Sequence, residues 1–297
     1  DVVISDCQMW NNGIGDGSGL EVYDADHVTL QRCKIRGSVN AIEARGHDST
    51  NYPNSANYLK IYYCLLEAER TGILYGNYPA DGGQECEYGE FYNNTIIVPR
   101  IGIDIYSPNN SIVNNIIKVP ASEYSAIYYR YMTEAEIGTC TQDHNYVQFV
   151  SGSHYVISYP EDGPWHAYDT VASWHSAHPT LAEHDTIVDD LELTSTYHLS
   201  AGSPCIDVGT KLSIHDGNWQ DLAGNKIRYG AAPDIGCYEY KSWPLGAWGM
   251  LPWIGGKYRV QWTPAPPSSP FQVGYLVFVD GAGINYKNTG GITFQDL

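Results

Sequence analysis

Phe91-Tyr92-Asn93-Asn94-Thr95-Ile96 and Ile112-Val113-Asn114-Asn115-Ile116-Ile117 share one spacing: an apolar residue, two others, an Asn, one other, and a second apolar residue. The same spacing recurs upstream with Cys in place of Asn, at Ile61…Cys64…Leu66, Leu30…Cys33…Ile35 and Ile4…Cys7…Met9. The Cys/Asn positions follow one another at intervals of about 20 to 31 residues, the range in which a unit too small to bury its own core stacks on its neighbours. Unequal intervals suit coils that share strands and differ in loop length. The Cys/Asn column then reads as a ladder at one internal corner. Asn there can hydrogen-bond the backbone of the next coil, and a buried thiol fills the same small space as a soft apolar residue. Cys7, Cys33 and Cys64 are accordingly structural. The seven Cys include no Cys-x-x-Cys pair, so no metal site is predicted from them.

A second strand accompanies each repeat, in the segments starting Gly19-Leu20, Ala41-Ile42, Gly72-Ile73, Gly102-Ile103 and Ala126-Ile127. Strand alternation points Leu20, Ile42, Ile73, Ile103 and Ile127 inward. It also predicts two outward columns: Glu21, Glu43, Leu74, Asp104, Tyr128, and beside it Tyr23, Arg45, Gly76, Tyr106, Arg130. The expected fold is all-β, a parallel β-helix over 1–240.

These repeats resemble the right-handed parallel β-helix superfamily that includes pectate lyases and related polysaccharide lyases and hydrolases. The run Tyr197-His-Leu-Ser-Ala-Gly-Ser-Pro-Cys-Ile-Asp-Val-Gly209, with Asp221-Leu-Ala-Gly-Asn225, Arg228 and Pro233-Asp-Ile-Gly-Cys-Tyr-Glu-Tyr240, is similar to the closing segment of many secreted bacterial β-helix proteins. The resemblance implies that 197–240 finishes the solenoid. Cys205 and Cys237 stand where Ala is common in that segment, and pair as a disulfide or stay as two buried thiols. Asp207, Asp221 and Asp234 are expected to tie loops to backbone N–H groups. Residues 140–196 read as irregular loops and 241–256 as a Trp-, Pro- and Gly-rich linker. Residues 257–297 resemble the opening strands of a fibronectin type III-like sandwich, with Trp262 and Tyr275 in its core. The chain starts with Asp rather than Met, as a processed or cut chain would.

A net charge of −18, from 34 acidic against 16 basic residues, argues against nucleic acid and anionic membranes as partners. No apolar run is long enough for membrane insertion. The 25 Tyr and 8 Trp offer flat faces with a polar edge, which suits sugar stacking as well as ordinary strand packing. The expected partner is a polysaccharide or glycan, and the expected location is secreted or at the cell surface.

Parallel coils stack about 4.8 Å apart, which puts Glu43 and Asp104 about 9.6 Å apart, near the upper limit for inverting glycoside hydrolysis. In hydrolysis, Glu43 or Asp104 would be general acid and the other base or nucleophile. In β-elimination, Arg45 or His47 would take the proton, with Ca²⁺ or Arg130 neutralising the sugar carboxylate. Glu21, Tyr23, Tyr106, Tyr128 and Arg130 would line the groove. The family's lyases use a Lys or Arg base with an acidic Ca²⁺ cluster, and no unmistakable cluster is present. The polygalacturonan-digesting branch carries tandem aspartates and a Gly-His-Gly segment. This chain departs from both, with Gly46-His47-Asp48 and a distant Asp189-Asp190. The competing reading of the columns is a solvated, salt-bridged strand face. His144, His166, His175, His178 and His184 read as structural, with His175 and His178 able to share a metal only on a helix. Asp216-Gly-Asn218 to Asp221 is a weak Ca²⁺ loop. Asn93 and Asn109 head N-glycosylation triplets. Two non-enzymatic classes also fit the repeat: a surface adhesin or filament subunit self-associating through solenoid ends or strand edges, and a phage tail fibre or spike.

Overall fold

The computed structural model describes residues 1–10, 17–23, 25–46, 56–77, 86–120, 124–149, 152–159, 164–215, 219–227 and 231–240, together with the backbone of three strands between 257 and 283. The chain divides into two compact units, Asp1–Tyr240 and Lys241–Leu297.

The first unit is a parallel β-helix built from repeated strand triplets. They are β1 (Val2–Ser5), β2 (Gln8–Trp10), β3 (Leu20–Tyr23); β4 (Val28–Gln31), β5 (Lys34–Arg36), β6 (Asn40–Arg45); β7 (Lys60–Tyr62), β8 (Leu65–Glu67), β9 (Thr71–Tyr75); β10 (Glu90–Tyr92), β11 (Thr95–Ile97), β12 (Ile101–Ile105); and β13 (Ser111–Val113), β14 (Ile116–Val119), β15 (Ser125–Arg130). After a one-turn helix α1 (Glu134–Ile137), a further triplet follows: β16 (Thr141–Asp143), β17 (Tyr146–Phe149) and β18 (His154–Tyr159). Next come β19 (His166–Tyr168), α2 (Val171–Ala177) and β20 (Thr186–Ile187). First, second and third members of each triplet form three sheets, here called A, B and C. Every neighbouring pair is parallel except β18 with β19, which is antiparallel.

Register stacks like on like. Sheet A carries Ile4, Leu30, Ile61, Phe91 and Ile112 in one inward row. Sheet B carries Met9, Ile35, Leu66, Ile96, Ile117, Val147 and Ile187. Sheet C carries Leu20, Ile42, Ile73, Ile103, Ile127 and Val156, as alternation predicts. These rows make one continuous core, in which each fully buried aliphatic side chain contributes about 1.5–3 kcal/mol. The bend from sheet B into sheet C requires close approach. A Cβ on Gly102 would lie 2.4 Å from the Ala126 carbonyl oxygen and 2.4 Å from Ile117 Cγ2.

The corner between sheets A and B is made by one left-handed residue per coil: Asp6, Arg32, Tyr63, Asn93, Asn114 and His144, with φ between 52° and 59°. The next residue is the ladder, and it does what the sequence predicts. Asn94 Oδ1 accepts from Cys64 N at 3.0 Å, Asn115 Oδ1 from Asn94 N at 3.0 Å, and Asn145 Oδ1 from Asn115 N at 3.1 Å. Asp185 Oδ1 ends the series, accepting from Asn145 N at 2.7 Å. The Asn amides also donate back to the Ile61, Phe91 and Ile112 carbonyls. Buried polar groups are thereby satisfied at every step.

Several expectations are corrected. Residues 141–149 and 152–159 form a further coil, not an irregular excursion. The interior beyond it is sealed by α2, whose Trp174 is buried and stacks on Tyr129 at 5.6 Å. The 197–240 segment instead packs along the side of the solenoid at the A/B corner. Asn93 Nδ2 donates to the Asp234 carbonyl, Asn114 Nδ2 to the Thr210 carbonyl, and the Cys237 N–H to Thr95 Oγ1. Asp221 and Asp234 accept backbone N–H groups as expected, whereas Asp207 contributes its own N–H to Asp234. Asn93 is fully buried beneath this segment, which removes it as a glycan acceptor. Cys205 and Cys237 are free thiols in separate apolar clusters.

In the second unit, β21 (Lys257–Gln261) pairs antiparallel with β22 (Tyr275–Val279), which pairs with β23 (Ala282–Gly283). Trp262 and the 241–256 stretch lie outside the described residues.

Candidate functional site

The outer face of sheet C carries the two predicted columns. Register places Glu21, Glu43, Leu74, Asp104, Tyr128 and Ile157 in line, and pairs Tyr23 with Arg45 and Arg130 with Tyr159 in the neighbouring row. Outward strand positions are normally wet, yet Glu43 and Asp104 are 9% and 2% exposed. Each is therefore held by partners.

Glu43 is saturated. Oε2 accepts from Ser18 Oγ at 2.8 Å and Asn40 Nδ2 at 2.7 Å, and Oε1 from Tyr23 OH at 3.1 Å. Arg45 Nε lies 2.9 Å from Oε1 as an ion-pair contact without hydrogen-bond alignment. A carboxylate with this many donors is a structural anchor. Leu74 stands in the column between Glu43 and Asp104, which sets the two acids two coils apart.

Asp104 has one charged partner, Arg130 Nε at 2.8 Å. Burial pushes its carboxyl up to about 6, against the opposing pull of Arg130 and the more distant Arg45 and Arg70. The Arg130 guanidinium lies over the Tyr128 ring at 4.0 Å and nearer the edge of contact with Tyr106 at 5.6 Å. The face thus holds an Asp–Arg pair between two aromatic rings.

Beyond this pair the face opens into a cavity of about 430 Å³ lined by Tyr128, Gly152, His154, Ile157, Tyr159 and Trp165. Trp165 is 57% exposed, and His154 Nδ1 is 2.6 Å from Asp169 Oδ1. Sequence reading missed His154 and Tyr159 because they belong to the coil that was not recognised, and Trp165 because it lies in the segment just after it that reads as loop.

Of the other expected site residues, His47 lies outside the described residues, as does Asp216-Gly-Asn218. Glu21 and Tyr23 sit at the opposite, exposed end of the sheet. The segment holding His175 is helical, but His175 Nδ1 contacts the Leu181 carbonyl while His178 packs on Trp174 at 3.9 Å, so the two do not converge. His144 and His184, read as structural, come together with Asp143 at the A/B corner. No helix among the described residues is long and apolar enough to cross a membrane. No protein-family model matches the chain, and no curated protein matches it.

Proposed function

We propose that this chain is an extracellular glycan-binding β-helix protein that docks a neutral polysaccharide along the outer face of sheet C. The observation that carries this reading is the cavity walled by Tyr128, His154, Tyr159 and Trp165 beside the stacked Arg130. Aromatic faces cover the apolar side of a sugar ring, and their polar edges with His and Arg serve its hydroxyls. Arg45 and Arg130 are each already matched to a carboxylate, and the chain carries −18 overall. That balance favours a neutral glycan over a polyuronate.

A second reading, polysaccharide lyase or hydrolase activity on the same face, is favoured by Asp104, whose proton is held to about 6. Here Asp104 would be the proton donor and Glu43 a positioning residue. The test is incubation with neutral and uronic-acid polysaccharides, with and without Ca²⁺, following retention, reducing ends and unsaturated uronates together. Retention of a neutral glycan without product supports binding. Reducing ends that vanish in Asp104→Asn support hydrolysis, and unsaturated product supports elimination. Absence of both retention and product across the panel overturns the reading.

A further inference from the structure

Asp143, His144 and His184 form a cluster at the A/B corner, away from sheet C. The fold explains why they meet. His144 precedes Asn145 and His184 precedes Asp185, consecutive rungs of the internal ladder, so the two imidazoles leave the same corner one coil apart. Their rings stack with centroids 4.5 Å apart and 27° between planes. Asp143 closes β16 immediately beside them.

We propose that these three side chains bind one divalent transition-metal ion of the Zn²⁺ class. His144 Nδ1 is 2.9 Å from Asp143 Oδ2, and His184 Nδ1 is 3.0 Å from the same oxygen. One donor atom from each residue lies within 4.8 Å of the others. Donors about 2.0–2.2 Å from a tetrahedral zinc ion stand roughly 3.3–3.5 Å from one another, so the two nitrogen–oxygen separations at Asp143 need only open slightly and the imidazoles need only turn toward a common ion. Two imidazole nitrogens and one carboxylate oxygen select Zn²⁺, Co²⁺, Ni²⁺ or Cu²⁺ over Ca²⁺ and Mg²⁺, which prefer all-oxygen sets.

The backbone around the site is fixed before any ion arrives. The His184 N–H donates to Asp143 Oδ1 at 2.7 Å and orients the carboxylate, leaving Oδ2 toward the imidazoles. The neighbours of both histidines are tied together by the Asn145 N–H to Asp185 Oδ1 bond. Supporting contacts of this kind hold ligands in place and raise affinity. The His184 side chain is 54% exposed, so solvent reaches the cluster and water can complete the coordination. Three protein ligands with an open position is the pattern of a reactive rather than a closed structural zinc site.

The test is titration of the 297-residue chain with Zn²⁺ by calorimetry, repeated with Co²⁺ by visible absorption. One ion per chain is expected, with a tetrahedral Co²⁺ spectrum lacking the thiolate charge-transfer band. His184→Ala and His144→Ala should each weaken binding at least tenfold, and His184→Ala should retain the wild-type far-UV spectrum because its side chain is half in water. Zn²⁺ should also raise the thermal midpoint of the wild type and not that of His184→Ala. Absence of stoichiometric Zn²⁺ uptake, uptake unchanged in the folded His184→Ala variant, or a thiolate signature for Co²⁺ would each overturn the proposal.

Discussion

Arg130 Nε lies 2.8 Å from Asp104 Oδ1, bridging one coil of sheet C to the next. The pair lies beside the buried Ile103–Ile127 row, with its guanidinium against the Tyr128 and Tyr106 rings, so the carboxylate loses water and the guanidinium replaces only part of what is lost. Asp104 therefore takes up its proton at about 6 in the folded chain, well above the ordinary carboxylate range.

The consequence is a pH dependence of stability. A carboxyl whose folded pKa is raised binds more protons folded than unfolded between about pH 4 and 6, so its contribution to stability falls as pH rises through that window. Asp234, likewise pushed up to about 6 by burial, acts in the same direction. Asp6, whose carboxyl Arg32 holds down, acts in the opposite direction at lower pH and is exposed, so its effect is small. The urea midpoint of the 1–240 unit should rise from pH 7 to pH 5. Asp104→Asn should flatten that rise without abolishing it. An Asp104→Asn variant whose pH slope over this range equals that of the wild type would show that Asp104 is not held above its ordinary value.

Asn115 sits at the centre of the ladder and is fully buried. It accepts from Asn94 N at 3.0 Å and donates to the Phe91 carbonyl at 2.8 Å and Asn145 Oδ1 at 3.0 Å. Asn115→Ala strands those partners where water cannot reach them. We expect a loss of about 2–4 kcal/mol by denaturant unfolding. Asn109→Gly, on another corner, keeps the left-handed backbone (φ 61°) and loses only a partly exposed bond to Glu87 Oε2, so it should cost well under 1 kcal/mol.

All seven Cys are free thiols, and only Cys7 is even partly exposed. A thiol reagent should therefore modify at most one site per native chain and seven after unfolding. Finding five in the unfolded, unreduced chain would mean that one pair, such as Cys205 with Cys237, had formed a disulfide.

The repeat made much of this architecture readable in advance. Because successive coils reuse one spacing, the alignment of Glu21, Glu43, Leu74, Asp104 and Tyr128 followed from counting alone, and the register reproduces it. The reading stopped one coil short for a physical reason. Where earlier coils place an apolar residue inward, β16 places Gln142, which breaks the hydrophobic pattern. Its cost is offset inside the core by Tyr129 OH at 3.0 Å, Tyr155 OH at 2.7 Å and Asp185 Oδ2 at 2.8 Å. With that coil unseen, Asn145 and Asp185 were not recognised as rungs. His144 and His184 then looked unrelated, and the cavity walls at His154, Tyr159 and Trp165 went unnoticed. Nor could spacing reveal that Ser18, Tyr23 and Asn40 converge on Glu43, because Ser18 and Tyr23 come from the preceding coil, around β3, and Asn40 from the start of β6.

The central claim is that sheet C docks a neutral glycan in the cavity beside Arg130. The most direct measurement is a calorimetric titration of the wild type and Trp165→Ala with the neutral glycan retained most strongly in a panel. Trp165 is more than half exposed, so its removal leaves the core intact. We predict saturable binding by the wild type and at least tenfold weaker binding by Trp165→Ala, a loss of about 1.4 kcal/mol or more. Equal affinity in the two proteins would contradict the account and place the binding surface elsewhere.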